Sequence, residues 1–124
     1  MAEEAEVYLG SSRYLTLDGA KLMCAAAEAE AKRNGWTVAI AIVDSGPNLV
    51  LFHKCDHVQP GSIDIAIGKA KTAANFKRPT KAMEDIIAGG RQCFLAVNGI
   101  CPIQGGIPII YDGQLIGAIG VSGR

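Results

Sequence analysis

The sequence predicts a single α+β domain, a mostly antiparallel sheet of about five strands with helices packed on it. Three observations predict it. Three stretches carry apolar residues at helical spacing behind residues suited to helix starts. Between and after them lie short runs rich in β-branched residues and bounded by Gly, Asn and Asp. The resulting order is α-β-β-α-α-β-β-β, for which a layer of helices on one sheet is the natural solution. With 124 residues, about half of them apolar, the chain fits one domain.

Residues 1–14 are expected to be a poorly ordered arm, or a strand added to an oligomer; the domain proper runs over 15–124. Thr16 is suited to cap a helix reaching about Asn34, with Asp18 in the favourable first turn. Ala20, Met23, Cys24, Ala27 and Ala31 give that helix a narrow face of small side chains. Asn34-Gly35 ends it. Val38 to Val43 reads as a central strand, Asp44 to Asn48 as a five-residue connection, and Leu49 to His53 as the returning strand.

After a polar loop, Cys55 to Gly61, Ser62 is expected to cap a second helix whose face is Ile63, Ala66, Ile67, Ala70 and Ala74. Arg78-Pro79 breaks it, and Thr80 is expected to cap a third helix that ends at Gly89-Gly90. Residues 92–97 read as a short strand. Ile107 to Tyr111 and Gln114 to Val121 read as strands joined by Asp112-Gly113, the composition of a tight two-residue turn. Gly117 and Gly120 weaken the last strand unless backbone or ligand comes close.

Composition narrows the function classes. Twelve basic and twelve acidic residues give zero net charge, and no basic tract stands out, which argues against nucleic acid as a partner. No apolar run approaches the length that spans a bilayer, and the acidic start lacks the pattern of a secretory signal, so neither a membrane nor export is expected. Cys24, Cys55, Cys93 and Cys101 form no CxxC pair and read as reduced thiols of a cytoplasmic protein. Cys24 and Cys93 are expected in the core; Cys55 and Cys101 lie in loop-like text, where either is a candidate reactive thiol.

The segments LTLDGAKLM, VAIAIVDSGPNLVLF, SIDIAIGKAKTAANFKRPT and QGGIPIIYDGQLIGAIGVSG together resemble the GlcG/HbpS family, which also supplies the C-terminal part of some PduO-type proteins. The resemblance covers about residues 15–123. It implies a profilin-like fold, assembly into dimers or larger homo-oligomers, and members that bind or degrade haem, are linked to corrinoids, or act as lyases or isomerases on small acids. The family pattern continues into a final amphipathic helix where this text stops at Arg124, so that helix reads as missing and the sheet face beneath it as open to another chain. The loop Asn98–Gln104 carries Cys101 where relatives have a proline- and leucine-rich stretch.

Several residues are candidates for chemistry. Asp44 is either a general base or the anchor of an Asx turn. Lys69 lies near the apolar stripe between Ala66 and Ala70 and either serves a cleft or snorkels at the surface. Arg78 and Thr80 are candidate anion ligands at a helix start, against a plain cap and turn. Gly105 and Gly106 either admit a ligand to the backbone or make a tight bend; QGGIP lacks the signature of a nucleotide loop. HKCDH, with His53 and His57, is the sole cluster of metal or haem ligand types, and His57 is the better candidate because it leaves the strand. Tyr14 joins only if the arm folds over the cleft; Trp36 and Tyr111 read as packing residues.

Three functions follow as expectations. The first is a small-ligand binding protein, for haem or a corrinoid. The second is a lyase, isomerase or hydrolase without a nicotinamide or nucleotide cofactor, in which Asp44 or His57 faces Lys69 or Arg78 across a small carboxylated or aromatic substrate. The third is a structural subunit of an oligomer.

Overall fold

The computed structural model describes residues 2–124; Met1, part of the expected arm, lies outside the described residues. A short helix α1 (Ala2–Glu6) opens the chain, followed by α2 (Leu17–Arg33), β1 (Val38–Asp44), β2 (Leu49–Lys54), α3 (Gly61–Phe76), α4 (Thr80–Ala88), a 3₁₀ turn (Gln92–Ala96), β3 (Gly106–Tyr111) and β4 (Gln114–Gly123). The strands form one antiparallel sheet in the order β2-β1-β4-β3.

The strongest sequence signal became the centre of the sheet. All six residues Val38 to Val43 of β1 are buried, because both faces are covered. Val38, Ile40 and Ile42 face α2 through Ala20, Cys24 and Ala31. Ala39, Ala41 and Val43 face α3 through Ala66, Ala70 and Ala73. Alanines on both sides let α3 lie close to the strands. At Gly120 this closeness is absolute: a Cβ there would overlap the backbone of α3 at Ala66 and Ala70. Helix α2 starts as the sequence requires, with the Thr16 side chain accepting from Gly19 N–H at 3.0 Å. The β3–β4 turn has Asp112 at φ 50° and Gly113 at φ 76°, the double positive φ that joins two strands tightly.

Several expectations are overturned. The sheet has four strands, so the five-stranded profilin-like architecture is wrong. Of residues 92–97, expected as a strand of that sheet, Gln92–Ala96 form the 3₁₀ turn instead. This segment lacks an alternating face to sink, remains largely exposed, and packs on α4 rather than on a strand edge. Cys93, expected in the core, is exposed with it. Within this chain the arm meets the start of β4: Arg13 exchanges hydrogen bonds with the Gln114 side chain, its N–H donating to Oε1 (3.2 Å) and its carbonyl accepting from Nε2 (2.8 Å). Ser62 and Thr80 are not caps, since Pro60 and Pro79 hold those positions. The Ser62 hydroxyl is instead buried without a hydrogen-bond partner among the described residues. Trp36 and Tyr111, expected as packing residues, are half exposed.

Candidate functional site

Helix α3 crosses β1, β4 and β3, and this crossing carries Lys69 to the end of the sheet where β3 begins and β4 finishes. Lys69 is only 6% exposed. Its stem passes over Gly105, and its backbone carbonyl lies against Gly106. A Cβ at residue 105 would meet Lys69 Nζ at 2.9 Å and Cδ at 3.1 Å, and one at residue 106 would overlap the Lys69 carbonyl. Past the glycines, Nζ donates to the Val121 carbonyl at 3.0 Å.

Nζ borders a cleft of about 280 Å³. Trp36, Val38 and Val121 make its apolar wall, and Gln104, Gly123 and Arg124 its polar rim. Burial holds the Lys69 ammonium below its ordinary range, against the opposing pull of the Cys101 thiol and the Glu84 carboxylate nearby. Burial also raises the Cys101 thiol, and the neighbouring Lys69 partly offsets this. Among the described residues no carboxylate lies within ion-pair distance of Nζ.

The same Gly123 and Arg124 wall a second cavity of about 150 Å³, lined also by Thr37, His57, Val58 and Gln59. Thr37 and Arg124, which line this cavity, pair through their backbones. His57 is exposed and sits at φ 68°, a left-handed conformation that turns the chain toward α3. Lys69 and His57 therefore border adjoining cavities rather than one.

The other candidates fall elsewhere. Thr80 is buried beside the Lys69 glycines, its Oγ1 accepting from Gly106 N–H at 2.8 Å, so its hydroxyl ties α4 to β3. Arg78 is exposed in the α3–α4 connection. Asp44 stands at the opposite end of β1. Its Oδ1 accepts from Gly46 N–H (2.8 Å) and Asn48 N–H (2.7 Å), the hydrogen bonds of an Asx turn. Val121 pairs with Ile40, four residues short of Asp44, so roughly 13 Å of strand separates Asp44 from the Lys69 contact. The acid–base pairing of Asp44 with Lys69 is not assembled.

His53 parts company with His57. It faces α2, with Nδ1 3.5 Å from Cys24 Sγ and 3.7 Å from Glu28 Oε2. Among the described residues no three His, Cys, Asp or Glu side chains are grouped to hold a metal ion. Tyr14 lies with Arg13, Tyr111 and Ile116 along a separate groove of about 410 Å³, where the Arg13 guanidinium stacks 5.1 Å from the Tyr111 ring centroid. That groove shares no lining residue with the Lys69 cleft.

Reasoning from sequence missed Trp36 and Arg124 as cleft residues, and neither sits in a motif that signals the role. Among the described residues no helix is long and apolar enough to cross a membrane.

Comparison with known proteins supplies the context. Residues 15–124 match the family described as haem-degrading, HbpS-like proteins. The chain is similar to the protein GlcG of Escherichia coli K12, 39% identical over 103 residues that span 83% of this chain and 77% of the relative. It is similar in structure to a double mutant of Streptomyces reticuli HbpS, with a TM-score of 0.86 and 31% identity, covering 94% of this chain and 79% of that one. Klebsiella pneumoniae protein ORFY is also similar, with a TM-score of 0.84 and 32% identity over 94% of this chain and 85% of that one.

Proposed function

The chain belongs to the haem-degrading, HbpS-like protein family, and from that premise we propose that it is a small-ligand binding protein whose ligand is haem. The observation that carries the reading is the Lys69 cleft, an apolar wall facing basic side chains. Trp36, Val38 and Val121 suit the face of a macrocycle, while Lys69 and Arg124 offer N–H donors to a propionate. The imidazole of His57, across Gly123 and Arg124, is of the donor type that haem iron takes. His53 suits the role less, since Cys24 and Glu28 already face its Nδ1. Bound haem supplies a redox-active iron; the chain supplies the wall, the basic groups and the imidazole.

The test is a visible absorption titration with haemin of the wild type and of His57→Ala, His53→Ala and Lys69→Met variants, with cobalamin run in parallel as the corrinoid. The expected result is a saturable one-to-one Soret shift, weakened in His57→Ala and Lys69→Met and kept in His53→Ala. Saturation by cobalamin alone would replace haem with a corrinoid, and no saturable change with either would overturn the reading.

The same reading makes the protein a cytoplasmic homo-oligomer. All four cysteines are free thiols, in keeping with a reducing compartment. Ile107, Ile110 and Tyr111 on the edge strand β3 are each more than half exposed, which favours self-association. A monomer by light scattering would remove the oligomeric part.

A further inference from the structure

Lys69 is the buried ionisable group whose placement asks for more than packing. A lysine that merely snorkels extends its ammonium into water. Here the side chain runs the other way, through a gap that exists because residue 105 has no Cβ, and ends 6% exposed at the wall of a cleft. One N–H is taken by the Val121 carbonyl at 3.0 Å, and no carboxylate is paired with Nζ among the described residues. The charged or titratable groups near it are Cys101 from the loop before β3, Glu84 from α4, and Arg124 on the rim. Such surroundings keep an amine available as a nucleophile, since burial disfavours the ammonium.

We propose that Lys69 is a nucleophilic amine that condenses reversibly with the carbonyl of a small aldehyde entering the cleft. The nitrogen lone pair forms a bond to the carbonyl carbon while the C=O π pair moves to oxygen. The carbinolamine then loses water, which takes the carbonyl oxygen and both amine protons, and the product is an imine. Nothing is oxidised or reduced. Arg124 on the same rim selects an aldehyde that also carries a carboxylate. The inference goes beyond haem binding and stands or falls separately from it, because it is read by mass rather than by a Soret band.

The experiment exposes the full chain at neutral pH to succinic semialdehyde or to butyraldehyde, each with sodium cyanoborohydride, and maps the reduced adduct by peptide mass spectrometry. The other lysines, at 21, 32, 54, 71, 77 and 81, are all exposed and serve as internal controls. The expected result is one dominant adduct on Lys69, several-fold over any other lysine. The semialdehyde should label faster than butyraldehyde, and Lys69→Arg should lose the adduct. Even labelling of all lysines, or labelling that spares Lys69, would overturn the proposal. Equal rates for the two aldehydes would overturn the part assigned to Arg124. The map on the wild type needs no variant to fold.

Discussion

Lys69 Nζ lies 2.9 Å from the point where residue 105 would place a Cβ, so the glycine and the lysine occupy one volume between them. Gly105 also sits at φ 130°, where an L side chain is strained. Gly105→Ala should therefore cost about 2 kcal/mol and lower the melting temperature by roughly 10 °C. In a Lys69→Ala background the same change should cost less, because the contact with Nζ and Cδ is gone while the strain and the contact with the Val121 carbonyl remain. Thermal unfolding of the two singles and the double checks this; strict additivity would mean that the two residues do not share the space.

Thr80 and Gly106 join α4 to the start of β3 by a buried hydrogen bond of 2.8 Å. Thr80→Val keeps the shape and leaves the Gly106 N–H without its acceptor, at a cost of roughly 1–3 kcal/mol. Thr80→Ser keeps the acceptor and loses only a methyl group, for about 1 kcal/mol. Urea unfolding should rank the variants wild type, Ser, Val. A Val variant as stable as the Ser variant would show that the hydroxyl is dispensable.

The difference between what the sequence discloses and what it hides is visible in these residues. Local signals were legible: the apolar Val38–Val43 run, the Thr16 cap and the Asp112-Gly113 turn each depend on neighbours within a few positions. Lys69, Thr80, Gly105 and Gly106 could be singled out one by one. That they meet depends on α3 crossing the start of β3, a contact between residues more than thirty positions apart that no local pattern encodes. His53 and His57, four apart, look like one cluster on the page. A strand end and a left-handed His57 send them to different cavities. Residues 92–97 misled because an apolar run reads as a strand whether or not a partner strand is there to receive it.

Asp44 separates a turn-forming role from a catalytic one. Its Oδ1 accepts two backbone N–H groups, so Asp44→Ala should destabilise the domain by about 1–2 kcal/mol, whereas Asp44→Asn, which keeps an acceptor oxygen, should cost less. Haemin binding by folded Asp44→Asn should match the wild type, because the residue stands at the far end of β1 from the cleft. Loss of binding in a folded Asn variant would return Asp44 to the list of functional groups.

Lys69 and the buried cysteines make stability depend on pH with opposite signs. The folded-state pKa of Lys69 lies below the ordinary 10.5, so between the two values the unfolded chain binds the extra proton, and stability climbs as pH rises through that window. Cys24 and Cys101 are raised above the ordinary 9.0, the first by burial and by Glu28 and Cys55, the second by burial. Above 9.0 their unfolded forms ionise while the folded thiols keep their protons, so stability falls as pH rises further. Urea unfolding followed as pH is raised toward 10.5 should show stability climbing less in Lys69→Met than in the wild type, and falling less in Cys101→Ala above pH 9.0. Because a neutral side chain of similar length pays no desolvation cost, Lys69→Met should also match or exceed wild-type stability at neutral pH. Parallel profiles for the wild type and Lys69→Met would mean that the amine is ionised alike in both states and is not held by its burial.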